Sequence, residues 1–137
     1  MSTTREDGQR GEMQAAQFLQ KQGLRIVARN YRTHRGEIDI VALDGSTICF
    51  VEVRLRKSSE LGSPLETVGF RKQRKLCYAA MEFVVKNSDI CKSNAFRFDV
   101  IGIDKTTNAL VWIKNAFELV TYSPRPNSPQ HFKTLVL

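Results

Sequence analysis

The sequence predicts an α/β fold, a mixed sheet of about five strands carrying two main helices, because one sheet with helices packed on it is the economical layering for the elements it encodes. Three observations point there. Apolar residues recur at helical spacing near 15–19 and again at 76–84, five β-branched and aromatic runs lie between and after them, and an Asp-Gly pair joins two of those runs. At 137 residues the chain suits one compact domain, read as residues 1–120 with an irregular tail at 121–137.

The first helix begins where Thr3 or Thr4 can cap it, with Glu6 and Asp7 at the positive end of its dipole and Gly23 suited to its C-terminal cap. Its apolar stripe includes Ala15, Ala16, Phe18 and Leu19. At about 100° per residue, Glu12 projects onto that stripe, where a carboxylate is costly unless a cation meets it. Leu24 to Arg32 reads as a strand. EIDIVAL, Asp44-Gly45 and STICFVEVRLR then read as a hairpin. Ser63-Pro64-Leu65-Glu66 has the form of a capping box with proline at the first helical position. A second helix follows on Leu76, Ala79, Ala80, Phe83 and Val84. FRFDVIGID and ALVWIKNAF supply the last two strands, around a polar turn near Thr106–Asn108. Pro124, Pro126 and Pro129 mark the tail as irregular.

Composition narrows the function classes. With 42% hydrophobic and 26% charged residues the chain is neither disordered nor, lacking an apolar run of about 18–20 residues, a helical membrane protein. The polar start MSTTREDGQRGE offers no secretory signal, so the expected location is cytoplasmic. Cys49, Cys77 and Cys91 form no CxxC or Cys/His cluster and read as free thiols. The net charge of +7 is concentrated: residues 53–75 hold seven basic groups against two acidic ones. Such clustering is the footprint of a polyanion partner, since each Lys or Arg that meets a phosphate releases condensed counterions.

The hairpin holds the chemistry. If Asp44-Gly45 is its two-residue loop, Leu43 faces Ser46, Asp39 faces Phe50 and Glu37 faces Glu52. Glu37, Asp39, Glu52 and Arg54 then share one face, with Asp39 and Glu52 as diagonal neighbours about 7–8 Å apart. The other face, from Ile38, Ile40 and Ala42 to Cys49, Val51, Val53 and Leu55, is uniformly apolar. Clustered carboxylates repel, and two agents can offset that. Arg54 and Arg56 would make the group an ion-pair network. A hard divalent cation would make it a metal site, since Mg²⁺ or Mn²⁺ prefers one or two carboxylates plus water and phosphate oxygens.

Several segments together resemble a known family. They are Gly11-Glu12, NYRTHRGEIDIVALDG at 30–45, FVEVRLR at 50–56, Lys72 within RKQRK, RFDVIGI at 97–103 and WIKNAF at 112–117. In this order they resemble the YraN family of uncharacterised bacterial proteins, assigned to the restriction-endonuclease-like, Holliday-junction-resolvase-like nucleases. The resemblance implies a restriction-endonuclease-like core and a Mg²⁺- or Mn²⁺-dependent endonuclease acting on DNA, branched or otherwise structured. It makes Glu12, Asp39 and Glu52 the metal-binding carboxylates and Glu37 an additional or outer ligand. Resolvase-like enzymes generally work as homodimers, although the sequence identifies no dimer face. Arg54 stands where the superfamily pattern has lysine. Arginine stays charged and cannot act as a base, but it could polarise water or steady a phosphate. Arg56 and Lys72 are the other cations able to take the lysine's place.

The reading is therefore a metal-dependent DNA nuclease with Glu12, Asp39, Glu52 and Arg54 at its centre. Arg56, Lys57, Arg71, Lys72, Arg74 and Lys75 would meet the DNA backbone. The alternative is a nucleic-acid-binding protein of the same fold with little or no cleavage, and a third reading is a basic protein-interaction module. Arg97 with Asp99 is expected to be a structural ion pair, and Trp112 and Phe117 are expected in the core.

Overall fold

Helix α1 (Thr4–Lys21) ends as its sequence dictates. Gly23 takes φ +92°, and the Leu24 and Gly23 N–H groups donate to the carbonyls of Leu19 and Gln20. This is a Schellman closure, which turns the chain directly into the sheet. The computed structural model describes residues 4–57, 68–91, 95–122 and 132–135. Strands β1 (Arg25–Arg32), β2 (Glu37–Asp44) and β3 (Thr47–Arg56) form an antiparallel meander. Helix α2 (Phe70–Lys86) carries the chain to β4 (Phe96–Asp104), which pairs parallel with β3, and β5 (Leu110–Phe117) closes the far edge antiparallel. The sheet order is β1-β2-β3-β4-β5. The α/β class, the mixed five-stranded sheet and the element order are as the sequence predicts.

Each helix buries its apolar stripe on one face. Ala15, Ala16 and Leu19 of α1 pack with Ile40, Ala42, Cys49, Val51 and Ile101. Leu76, Ala79, Ala80 and Phe83 of α2 pack with Val41, Ile48, Phe50, Phe98 and Val100. The central strands are thus covered on both sides, as a parallel pair joined by a crossover helix requires.

Three local expectations are corrected. The hairpin loop is Gly45-Ser46, closed by Asp44 opposite Thr47, with Gly45 at φ +61° where glycine meets no Cβ penalty. Helix α2 begins at Phe70 with Gly69 as an N-cap that makes no side-chain bond, and the Ser63–Glu66 capping box lies outside the described residues. The tail read as irregular contains β6 (Leu119–Tyr122) and β7 (Phe132–Leu135), paired antiparallel as a separate two-stranded sheet. Backbone pairing overrides the local proline signal there, because the prolines fall between the strands.

Asp99 anchors the β4–β5 edge. It is fully buried, and its carboxylate accepts bonds from Arg97 Nε (2.8 Å) and Nη2 (3.0 Å), Trp112 Nε1 (3.0 Å) and the Asn115 N–H (2.9 Å). Burial alone would lower the Arg97 guanidinium, but the bonds to Asp99 outweigh it and raise it further above its ordinary value. The Arg97–Asp99 pair is structural, as expected. Phe117 stacks on Phe98, and Trp112 meets Phe18 edge to face. Cys49 and Cys77 are buried free thiols and Cys91 is half-buried. Burial, reinforced by Asp99, pushes the Cys49 thiol up to about 12. No helix among the described residues is long and apolar enough to cross a membrane.

Candidate functional site

The β2–β3 ladder runs from Asp44 opposite Thr47 to Ile40 opposite Val51. It is shifted by two residues from the register read from sequence. A two-residue shift preserves side-chain parity, but it brings Asp39 level with Glu52 instead of diagonal to it. At that step the ladder stops. The Asp39 carboxylate itself accepts the Val53 N–H, at 2.8 Å. The alternation of β2 breaks at the same point: Ile38 packs in the α2-side core, whereas Ile40 packs in the α1-side core. The uniform apolar face running through Ile38, Ile40 and Ala42 is therefore not formed. Asp39 sits in the fork where β2 leaves β3.

Three carboxylates act on this point. Burial pushes the Asp39 carboxyl up to about 8; the Glu52 charge adds to the shift, the Val53 bond opposes it, and the Glu12 charge and a hydrogen bond to Glu52 raise it further. A carboxyl raised in this way favours its protonated form, which can donate the hydrogen bond to Glu52. Glu12 is half-buried on α1, brought to the sheet where Gly11 lies against Leu55 of β3. A side chain at position 11 would overlap the Leu55 methyl groups, so the missing Cβ lets helix and strand approach.

Glu52 is 6% exposed, and its cation comes from the facing helix: Lys72 Nζ lies 2.6 Å from its Oε1. Arg54 follows on β3, half-buried, and alternation gives it the Glu52 face. Arg56 turns its guanidinium to the Leu55 carbonyl at 2.8 Å, and Lys57 is exposed just past the strand. Glu37 is exposed and pairs loosely with Arg32 at 3.7 Å.

Beside the fork lies a cleft of about 680 Å³ between the β1–β2 turn and the first turns of α2. Arg71, Lys72 and Lys75 line it, as do Arg32, His34, Arg35 and Glu37. Arg74 does not; it lies alongside, 3.4 Å from the Tyr78 hydroxyl. Arg56 and Lys57 also lie off the cleft. Sequence reasoning missed Arg32, His34 and Arg35. Three basic or imidazole side chains in one short turn were the available signal, but nothing local says which helix that turn meets. The turn is pinned: the Thr33 hydroxyl accepts the Arg35 and Gly36 N–H groups, and Gly36 abuts the Lys75 carbonyl of α2. Arg35 stacks over the Tyr78 ring, 5.0 Å from its centre.

Comparison with known proteins agrees with this arrangement of segments. The model of Uncharacterised protein family UPF0102 matches residues 11–103. A UPF0102 protein of Pseudomonas syringae pv. syringae (strain B728a) is 47% identical over 120 residues, covering 85% of this chain and 97% of its own length. That of Pseudomonas fluorescens (strain Pf0-1) is 44% identical over 113 residues, covering 82% and 93%. One from Chlorobium chlorochromatii is 47% identical over 103 residues, covering 75% and 78%. The chain belongs to the UPF0102 family. The YraN family, which the sequence motifs resemble, is this same family. The stretch matched by the UPF0102 model contains Glu12, Asp39, Glu52, Lys72 and the whole cleft wall, and ends within β4.

The donor set can be tested for a metal. Among the described residues no three His, Cys, Asp or Glu side chains are grouped to hold an ion. Glu12 reaches Asp39 through its field, whereas Asp39 and Glu52 are in direct contact. Two carboxylates in contact are the ligand type Mg²⁺ or Mn²⁺ takes, with water and phosphate oxygens in its remaining positions. The pair fits such an ion; the full three-carboxylate set is not assembled.

Proposed function

We propose that this chain is a divalent-metal-dependent nuclease acting on DNA. The observation that carries the reading is the Asp39–Glu52 contact: a half-buried and a buried carboxyl meet across a fork beside a cationic cleft. Carboxylates placed together are costly, and these two sit where β2 leaves β3, against the first turns of α2. Asp39 and Glu52 would hold the ion, with Glu12 adding negative field. The ion supplies an activated water and neutralises charge on the phosphodiester. Lys72 and Arg54 flank Glu52 and would orient the scissile phosphate, while Arg71 and Lys75 hold the neighbouring backbone.

A second reading has its own support. The Lys72 ion pair and the Asp39 proton already satisfy both carboxylates without a metal, as a nucleic-acid-binding protein of this fold with no cleavage would require. Incubating linear, flapped and four-way-junction DNAs with Mg²⁺ or Mn²⁺, beside Glu52→Ala, separates the two. Cleavage lost in Glu52→Ala supports the nuclease. Salt-dependent binding without cleavage by the wild type supports the second reading.

A further inference from the structure

The cleft between the β1–β2 turn and α2 is cationic on both walls. Arg32 and Arg35 come from the turn, and Arg71, Lys72 and Lys75 from the helix, against the single carboxylate of Glu37. Glu37 is engaged by Arg32, and Lys72 by Glu52. Among the described residues neither Arg71 nor Lys75 has a carboxylate within ion-pair distance. They stand four apart on one helix, where like charges repel. The excess is therefore built toward something anionic that enters from outside.

Shape narrows what that is. A space of about 680 Å³ falls within the roughly 300–1,000 Å³ of sites that enclose small ligands. A nucleotide fits such a space, whereas a duplex can only ride over its rim. The turn packs directly on the helix, with Gly36 against the Lys75 carbonyl and Arg35 over the Tyr78 ring. A cationic groove that tracks the phosphate backbone is part of the general device for an unpaired strand. Lys72 lines this groove and also touches Glu52, so this one side chain joins the groove to the carboxylate fork.

We infer that the cleft receives one unpaired DNA strand, held between the β1–β2 turn and α2 and led to the Asp39–Glu52 fork. The inference rests on the nucleic-acid reading above and deepens it: the preferred substrate carries a single-stranded arm, a flap or a splayed junction.

The test is fluorescence anisotropy in EDTA, which makes binding independent of cleavage. The probes are a labelled oligothymidylate and a duplex of equal length, titrated at several salt concentrations. Wild type should bind the single strand more tightly. Arg35→Gln with Arg71→Gln should weaken that binding several-fold and make the salt dependence shallower by about 0.7 per lost contact. Both side chains are exposed, so folding should survive, and Arg25→Gln at the far end of β1 should bind as wild type does. Duplex preferred over single strand, or an Arg35/Arg71 variant with unchanged affinity and slope, overturns the inference. A parallel assay with Mn²⁺ keeps the two readings apart. Linear duplex cut equally well by wild type and by this variant removes the strand cleft and leaves the nuclease. Weakened oligonucleotide binding with no cleavage of any substrate removes the nuclease and leaves the cleft.

Discussion

Lys72 of α2 reaches across to Glu52 of β3 with its ammonium nitrogen 2.6 Å from a carboxylate oxygen. The contact is asymmetric: the Lys72 side chain is 52% exposed and that of Glu52 is 7% exposed. The helix thus lends a wet cation to a dry anion, and the dry anion in turn is hydrogen-bonded to Asp39. Removing the lysine leaves a buried carboxylate unpaired. Lys72→Ala should therefore destabilise the fold by about 1–2 kcal/mol, less than for a fully buried pair because water screens the lysine. Adding Glu52→Gln should recover most of the loss in urea denaturation, since the double variant no longer holds the stranded charge.

The Asp39 proton has a pH signature. In the unfolded chain this carboxyl titrates at its model value of 3.8, and in the folded chain burial holds it to about 8. Between those values the native state binds one proton more than the unfolded state, so this group's contribution to stability falls as pH rises. The loss is absent below the lower value and complete above the upper. Asp39→Asn removes the titration, so the variant should gain on wild type from acid toward pH 8. Urea unfolding of both proteins across that range measures the difference, and a variant that loses ground on wild type as pH rises contradicts the assignment.

Much of this site was legible in the sequence, and the limits have physical causes. Period-two alternation put Asp39 and Glu52 on one face whichever even register the hairpin chose, so that conclusion survived a wrong loop. The loop itself was misplaced because Asp44-Gly45 and Gly45-Ser46 both offer a glycine for positive φ. The break at Asp39 was invisible, because nothing in the run Ile38-Asp39-Ile40 signals that its two isoleucines enter different cores. Lys72 stands four and seven residues before Leu76 and Ala79, so the helical stripe itself leans it toward the sheet. Its partner was not legible, since that depends on the α2–β3 approach. Arg32 and Arg35 were missed for the same reason: a turn shows its charge in sequence but not the element against which it docks.

The Asp99 network predicts a sharper loss than its surroundings. Its carboxylate binds Arg97 through two bonds and also takes the Trp112 and Asn115 donors. Asp99→Asn substitutes a donor for one acceptor and leaves the guanidinium with Asp44 alone, 3.1 Å away. The expected destabilisation is about 3–5 kcal/mol. Asp44→Asn, at the half-exposed end of the network, should cost about 1 kcal/mol. Denaturant titration of the two variants tests the order, which the structure does not allow to reverse.

Two glycines make contrasting tests of close approach. A methyl group at Gly36 would overlap the Lys75 backbone carbonyl, while one at Gly11 would meet the end of the Leu55 side chain. Backbone cannot yield as a leucine methyl can. Gly36→Ala should cost about 1–3 kcal/mol and should loosen the β1–β2 turn from α2, weakening oligonucleotide binding with it. Gly11→Ala should cost less, since helix propensity favours alanine by about 1 kcal/mol and offsets the repacking of Leu55. Equal melting temperatures for the two variants would contradict the packing described.

Metal and proton compete for the same place, which gives the nuclease reading a test that needs no substrate. If Asp39 and Glu52 take a divalent ion, the Asp39 proton must leave, because a ligating carboxylate is deprotonated. Binding at neutral pH, below the value of about 8 held by Asp39, should release close to one proton per ion into a weakly buffered solution. That release should fade as pH rises past 8. The native state alone offers the site, so added ion should raise stability by RT ln(1 + [L]/Kd), about 2.7 kcal/mol at a hundredfold excess over Kd. Asp39→Asn should lose both the proton release and most of the stabilisation, while in metal-free solution near neutral pH it should be at least as stable as wild type, having no carboxyl that must take up a proton on folding. Under a purely structural reading the signs invert: Mn²⁺ leaves the melting temperature unchanged, no proton appears, and Asp39→Asn is destabilised by the weaker bond it offers the Val53 N–H. Calorimetry with Mn²⁺ in two buffers of different ionisation enthalpy, alongside thermal melts at fixed ionic strength, reads both quantities. A wild-type protein that shows neither shift nor proton at millimolar Mn²⁺ does not use this fork to hold a metal.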